Sequence, residues 1–301
     1  MGGIMRLKGV FFENSSLDQV PPLSVDGFLE KGLICAALPG VSLESMRDLS
    51  GNATQWQVNG NPIFTDKAVR INRANGFTSN KLETESYSHM LVFRGVRNMN
   101  ADAASAIVGG YCLGPSTYNN LSAPPNMEGG SGLFNTCFSP VDANYRTLFY
   151  HICTAVDVGT GRLNSFLIGA HPGAKQAMPP ATIFTPWSFA MGTVDADAVE
   201  MKSKYVVKSV GWDYFSKRNP NTDPTIINGN TFKNRFSLYA GGPYSWRLGT
   251  PGPGLDPSSG NMGVIEIAAV GIWNRALSDL EMEQQYKRIA SLMLQSRGIE
   301  V

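Results

Sequence analysis

Acidic residues at short spacing are the first candidates for chemistry in this sequence. Asp195, Asp197 and Glu200 lie close together in the string Val194-Asp-Ala-Asp-Ala-Val-Glu200. Two carboxyl groups a few Å apart can cleave a glycosidic bond, one as acid and the other as base or nucleophile. In a strand, Asp195 and Asp197 would share one face and Glu200 would lie on the other. A solvated strand face or a turn is the simpler interpretation, so we predict no catalytic residues.

Other catalytic groups are equally sparse. The histidines are His89, His151 and His171, and the first two lie in strand-like runs where packing or sheet-surface roles are favoured. The chain contains no Gly-x-Ser-x-Gly nucleophile elbow. Gly109-Gly110 and Gly241-Gly242 follow predicted strands, but no helix with a phosphate-binding lysine follows either pair. We therefore expect a protein that is not an enzyme.

Aromatic and amide residues near loops give the main binding signal. Aromatic rings stack on the apolar faces of sugars, while Asn and Asp side chains bind sugar hydroxyls. The predicted carbohydrate contacts are Tyr118, Asn119, Asn120, Trp212, Asp213, Tyr214, Tyr244 and Trp246. Packing of the aromatic rings beneath long loops is the alternative. Trp56 and Trp273, within predicted strands, are assigned to the core.

Charge and apolar patterning exclude two classes of partner. Charged residues make up 16% of the chain and the net charge is +1, which provides no long-range attraction for nucleic acid or an anionic membrane. No apolar run approaches the roughly 18 residues needed to span a bilayer. The apolar run from Gly9 to Phe12 is too short for a secretory signal and is interrupted by Glu13. We expect no signal peptide and synthesis in a cytoplasm.

The cysteines agree with a reducing compartment. Cys35, Cys112, Cys137 and Cys153 form no Cys-x-x-Cys pair and have no paired histidines nearby, so their spacing resembles no zinc motif. We predict four free thiols.

Turn residues and apolar periodicity predict many short strands and one helix. The 32 glycines and 18 prolines suit strands joined by tight turns. Residues 1–25 are predicted to form an N-terminal arm because Pro21-Pro22 favours extended linker geometry. Leu163–Ile168 is predicted to pair with the preceding strand as a hairpin. Near the end of the chain, Ser278 and Glu281 form a capping box that predicts a helix over residues 278–297.

Ordered landmarks give this sequence a family resemblance. The string Ile265-Glu-Ile-Ala-Ala-Val-Gly-Ile-Trp-Asn-Arg-Ala-Leu-Ser-Asp-Leu-Glu281 resembles the closing strand and helix start of laminin-G-like jelly rolls. Further landmarks in the family's order are Asp48-Leu-Ser-Gly-Asn52, Asn59-Gly-Asn-Pro-Ile-Phe64, the paired runs within 150–168, and Phe236-Ser-Leu-Tyr-Ala-Gly-Gly242. The resemblance implies an all-β fold over residues 26–301: an antiparallel two-sheet jelly-roll sandwich of the concanavalin A-like or laminin-G-like type, with a C-terminal α-helix. Around 99–145 and 211–232 the sequence departs from the family by insertions.

The resemblance also suggests calcium, because loop oxygens build calcium sites in this family. The candidate ligands are Asp213, Asn219, Asn221 and Asp223, with Asp48 and Asn52 as a second set. Asx residues also make turns for local reasons, and that alternative stays open. No other cofactor is expected.

The fold does not imply a function, since jelly rolls host lectins, glycanases and structural modules. Our first hypothesis is a bacteriophage virion protein, a tail or fibre component that binds a cell-surface glycan and contacts other virion proteins and further copies of itself. The second is a purely architectural capsid decoration or tail-assembly subunit. A glycan hydrolase is the least favoured.

Overall fold

The structure is a computed structural model that describes residues 3–7, 10–14, 27–72, 75–96, 108–115, 132–138, 144–157, 163–170, 176–177, 187–196, 201–209, 212–218, 232–234, 245–249 and 264–301. The strands, in chain order, are β1 Gly3–Leu7, β2 Val10–Asn14, β3 Leu33–Ala37, β4 Trp56–Asn59, β5 Ile63–Phe64, β6 Val69–Ile71, β7 Gly76–Leu82, β8 Tyr87–Val96, β9 Val108–Pro115, β10 Gly132–Phe138, β11 Asn144–Asp157, β12 Leu163–Ala170, β13 Gln176–Ala177, β14 Ser188–Ala196, β15 Met201–Ser209, β16 Trp212–Arg218, β17 Phe232–Asn234, β18 Ser245–Leu248 and β19 Val264–Trp273. A 3-10 turn spans Leu43–Met46, and helix α1 spans Asp279–Arg297.

Two antiparallel sheets form the body of the protein. One has nine strands in the order β12-β11-β10-β9-β18-β7-β4, with β13 and β17 also paired to β11. The other has eight strands in the order β16-β15-β14-β8-β19-β6-β5, with β3 also paired to β19. The predicted antiparallel two-sheet jelly roll with a C-terminal helix is confirmed, as is the predicted hairpin between β11 and β12.

The core has two layers because the eight-stranded sheet is covered on both faces. On one side Leu91 and Phe93 pack with Phe77 and Leu248 of the nine-stranded sheet. On the other, side chains of β8, β14 and β19 pack against α1 and the segment that begins at Phe28. Burial on both faces explains why nine of the ten residues of β19 are buried, without the polar alternation of a half-exposed strand.

Local signals fix both ends of α1. The Ser278 hydroxyl accepts a hydrogen bond from the Glu281 backbone N–H, and the Glu281 carboxylate accepts one from the Ser278 backbone N–H, as the capping box predicts. The helix ends at Arg297 and is capped by Gly298, whose φ of 60° lies in the left-handed region that favours glycine. Across the described residues, no helix is long and apolar enough to cross a membrane.

Polar side chains on α1 anchor the helix to the sandwich. The buried amide of Gln285 donates to the Gly27 carbonyl and accepts from the Leu29 backbone N–H, both at 2.8 Å. At the other end, the Arg297 guanidinium donates to four backbone carbonyls, those of Leu38, Pro39, Lys67 and Ala268.

The N-terminal strands stand apart in the sheet topology. Within the described residues, β1 and β2 pair only with each other, as a two-stranded antiparallel hairpin. The division into an arm over residues 1–25 and a sandwich over residues 26–301 stays a prediction.

Candidate functional site

A row of hydrogen-bonding side chains lies on the outer side of the nine-stranded sheet. Thr78 on β7 is directly opposite Gln57 on β4 and Arg247 on β18. Residues directly opposite each other in an antiparallel pair share a face, so these three form one row. Arg247 is in turn opposite Gly114 of β9, which has no side chain. The row of side chains therefore stops at Gly114, where β9 contributes backbone alone.

Neighbouring side chains extend this row into a surface. Asn59 donates from Nδ2 to the Thr78 hydroxyl at 2.8 Å, and the Asn80 side-chain oxygen accepts from the Gln55 backbone N–H at 2.9 Å. The exposed Leu82 shares the strand face of Thr78 and Asn80. We call the surface formed by Gln57, Asn59, Thr78, Asn80 and Arg247 the polar face.

The alternation of these strands explains the polar face. Phe77, Trp246 and Leu248 are fully buried between the sheets, so Thr78 and Arg247 point to the other side. Amide, hydroxyl and guanidinium groups supply both donors and acceptors, which suits a ligand rich in hydroxyl groups. Sequence reasoning missed this surface, although the alternation of Trp246, Arg247 and Leu248 is a signal of a half-buried strand.

The prediction of Trp246 as a sugar contact is wrong. Its exposed fraction is 0%, and it lies in β18 rather than in a loop. Its ring packs edge-on against Tyr87, with centroids 5.1 Å apart, and against His89, with centroids 5.4 Å apart. The indole faces the interior because the residues on either side of it in β18, Ser245 and Arg247, take the outward positions. Of the two roles expected for His89, packing and the sheet surface, its full burial shows packing.

Trp212, Asp213 and Tyr214 lie in β16, at one end of the eight-stranded sheet, and not in the predicted loop. The exposed Asp213 carboxylate accepts a hydrogen bond from the Lys208 ammonium at 2.8 Å. Lys208 also lies 3.8 Å from the Glu283 carboxylate on α1. Asp213 thus already carries a cationic partner, which reduces its suitability as a calcium ligand.

Several predicted site residues lie outside the described part of the chain. These are the carbohydrate candidates Tyr118, Asn119, Asn120 and Tyr244 and the calcium candidates Asn219, Asn221 and Asp223. Their roles stay predictions. Among the residues that the structure describes, no group of three His, Cys, Asp or Glu side chains is placed to hold a metal ion.

Asp48, the other calcium candidate, organises a turn. Its Oδ1 accepts from the backbone N–H groups of Ala36 and Ser50, and its Oδ2 accepts from that of Thr54. Burial opposes ionisation of this carboxyl, but the hydrogen bonds from Thr54, Ser50 and Ala36 outweigh it and hold the pKa below its ordinary value. Turn chemistry therefore accounts for Asp48.

Of the three acidic residues near the end of β14, the structure describes one, Asp195. Asp195 lies near the end of β14, directly opposite Lys202 of β15. Asp197 and Glu200 lie outside the described residues, so the interpretation of this string as a solvated strand face stays a prediction.

Comparisons with known proteins give distant likenesses only. No family model and no curated protein sequence matches the chain. Among solved structures, the binding domain of botulinum neurotoxin serotype D/C matches at 14% identity and a TM-score of 0.45, covering 88% of this chain and 53% of that one. The serotype C1 binding domain matches at 11% identity and a TM-score of 0.46, covering 86% and 52%. A mutant Trypanosoma rangeli sialidase displaying trans-sialidase activity matches at 12% identity and a TM-score of 0.43, covering 87% of this chain and 33% of that one.

The chain thus spans about half the length of the neurotoxin domains and a third of the sialidase. None of these likenesses assigns a family or an activity to it.

Proposed function

We propose that this chain is a carbohydrate-binding sandwich whose ligand lies on the polar face. The observation that carries the proposal is the register row of Gln57, Thr78 and Arg247, which ends against Gly114. Side chains from three adjacent strands converge there on one outer surface.

The chemistry of the polar face suits sugar hydroxyls. Each sugar hydroxyl can donate and accept hydrogen bonds. The side-chain amides of Gln57 and Asn59 can also do both, whereas the Arg247 guanidinium only donates. Leu82, 49% exposed on the same face, offers an apolar contact for the C–H groups of a sugar ring.

The polar face is also partly preorganised. The Asn59–Thr78 hydrogen bond and the bond from the Gln55 backbone to Asn80 restrict three of its side chains. Side chains that are already ordered lose less entropy on binding, which favours recognition of a weakly contacting ligand.

The biological setting that we propose is a bacteriophage particle, with the chain as a tail or fibre component that recognises a cell-surface glycan. The support is the laminin-G-like ending of the sequence together with the predicted arm and free thiols, of which the buried Cys35 is one. Other virion proteins and further copies of the chain would be its partners. Antibodies raised against the protein should then label phage particles in electron micrographs, and uniform absence of label would contradict this setting.

A glycan array tests the binding proposal. The full-length protein should bind a restricted set of glycans, and the double variant Gln57→Ala/Asn59→Ala should bind them about tenfold or more weakly, since each lost hydrogen bond contributes about 1 kcal/mol. Gln284→Ala, which removes an exposed amide on α1, is the matched control and should bind as the native protein does. Binding to no glycan, or equal binding by the double variant, would overturn the proposal.

The hairpin of β1 and β2 favours a second candidate function, a purely architectural subunit. Its register sets Met5 opposite Phe12 and Leu7 opposite Val10, which are two pairs of apolar residue types. A two-stranded hairpin alone is marginally stable in water and gains stability by packing an apolar face on another surface. An arm of this kind suits attachment to a neighbouring subunit.

A further inference from the structure

A second row of side chains crosses the eight-stranded sheet, on the face that also carries α1. Glu266 on β19 is directly opposite Arg70 on β6 and Arg94 on β8. The row continues on β5, where Ile63 is opposite Arg70. At its other end the Arg94 guanidinium lies 4.5 Å from the centroid of the Trp187 ring.

This row carries a net positive charge. Glu266 is buried, and each of its carboxylate oxygens accepts one hydrogen bond of 2.6 Å, Oε1 from Arg70 and Oε2 from Arg94. One carboxylate neutralises one of the two guanidiniums, so one positive charge is left in a partly desolvated site where electrostatic attraction is strengthened.

Among the described residues, no hydrogen bond engages the Nη donors of Arg70 or Arg94. In the described part of the chain, both guanidiniums form their hydrogen bonds through Nε, and these bonds lead inward to Glu266. The side chains of Arg70 and Arg94 are 40% and 21% exposed, whereas the Glu266 side chain between them is 2% exposed. The Trp187 ring and the bond to Glu266 hold the Arg94 plane in place.

We propose that Arg70 and Arg94 form a binding site for a carboxylate group, separate from the polar face. A guanidinium is planar and offers paired N–H donors that match the two oxygens of a carboxylate. Glu266 fixes the two guanidiniums beside each other, and an incoming carboxylate would receive donors from both. The carboxylate could belong to a small organic acid or to an acidic sugar residue of a glycan, and the site requires only the group that both share.

Titration of the full-length protein with sodium acetate and with sodium glucuronate, at ionic strength held constant with sodium chloride, tests this site. The melting temperature should rise saturably with at least one of the two, with half-saturation on the order of 1 mM for a single fixed carboxylate. A response to acetate alone identifies a site for small acids, and a response to glucuronate identifies one that admits an acidic sugar.

Variants locate the response. Arg70→Lys keeps the positive charge next to Glu266 but removes the paired N–H donors of the guanidinium. This variant should bind carboxylate at least fivefold more weakly. Arg47→Gln removes an exposed arginine elsewhere on the surface and should leave the response unchanged. Near-ultraviolet circular dichroism of each variant verifies its fold. A melting temperature that responds to neither compound, or an Arg70→Lys protein that responds as the native one does, overturns the proposal.

Discussion

Glu266 shows how a single buried charge can organise a sheet. Its carboxylate joins β6, β19 and β8 through two arginines, and burial leaves it little solvent to replace either partner. Removing one side of a buried ion pair leaves charges uncompensated, which costs about 3–5 kcal/mol. We expect Glu266→Gln to lower the free energy of unfolding by about 3 kcal/mol.

Urea unfolding followed by tryptophan fluorescence measures this change. Glu44→Gln, at an exposed position in the 3-10 turn, is the control and should shift the free energy by less than about 0.5 kcal/mol. A change for Glu266→Gln as small as that of the control would contradict the structural role assigned to the carboxylate.

Trp246 supports a prediction about stability instead of recognition. Because the ring is fully buried against Tyr87 and His89, Trp246→Ala should cost about 3–5 kcal/mol of folding free energy through lost packing and a cavity. Trp246→Phe should cost less, since the aromatic contact is partly kept. A Trp246→Ala protein of native stability, measured by thermal unfolding, would show that the indole is not a core residue.

Trp273 and Trp246 show which core positions could be predicted from the sequence and which could not. Trp273 ends the ten-residue strand β19, which is apolar apart from Glu266. Its predicted core position is confirmed by full burial and by a 2.7 Å hydrogen bond from Nε1 to the Leu29 carbonyl. Trp246 lies in a strand of four residues beside glycines and prolines, which gives too short a pattern to separate a strand from a loop. Its burial depends on pairing with β7 and β9, both remote in sequence.

At the scale of elements, the start of α1 carries a testable cap. The Ser278 hydroxyl satisfies the backbone N–H of Glu281, and an alanine there leaves that donor to solvent. Ser278→Ala should lower the free energy of unfolding by about 1 kcal/mol, the usual value for an N-cap. Ser291→Ala, on the exposed side of the same helix, is the matched control, and equal stability of the two variants would argue against the cap.

The same helix end should add a pH dependence to stability. The Arg275 guanidinium, hydrogen-bonded to both carboxylate oxygens of Glu281, is the largest influence on this carboxyl and lowers its pKa from 4.5 to about 2. A carboxyl whose pKa is depressed by folding contributes stability that is complete above its unfolded pKa and is lost as the pH falls. The stability difference between the native protein and Glu281→Gln should therefore be constant above about pH 5 and shrink between pH 4.5 and pH 2.

Thermal unfolding of both proteins across that range gives the difference directly. A difference that stays constant down to pH 2 would mean that Glu281 does not titrate as a partner of Arg275.

Elements whose ends are set by nearby residues were predictable from the sequence. The pairing of strands that are distant in the chain was not. The capping box of Ser278 and Glu281 is visible in the sequence, and helix α1 begins where it predicts. The polar face depends on the register of β4, β7 and β18, which are brought together from distant parts of the chain. A sequence pattern gives the alternation of each strand but not the neighbour opposite each residue.

At the scale of the whole molecule, the outer faces of the two sheets differ in what lies on them. Helix α1 and the segment beginning at Phe28 cover much of one face of the eight-stranded sheet, while the polar face looks outward from the opposite sheet. The β1–β2 hairpin pairs with neither sheet in the described structure. Under the proposed function, the predicted arm would contact a neighbouring subunit and the polar face would bind the ligand.

Light scattering tests the role proposed for the arm. The full-length protein should form an oligomer of defined mass, and a version lacking residues 1–14 should be monomeric with an unchanged circular dichroism spectrum from the sandwich. If both proteins form particles with the same number of subunits, the hairpin is ruled out as the assembly contact.

The central claim is that sugar binds on the polar face, and an NMR titration with the best glycan from the array tests it most directly. In the isotope-labelled full-length protein, the side-chain amide signals of Gln57 and Asn59 should shift saturably as the glycan is added, while the amide of Gln284 on α1 stays in place. Saturable shifts confined to other parts of the protein, with the amides of Gln57 and Asn59 unmoved, would contradict the claim and locate the binding surface elsewhere.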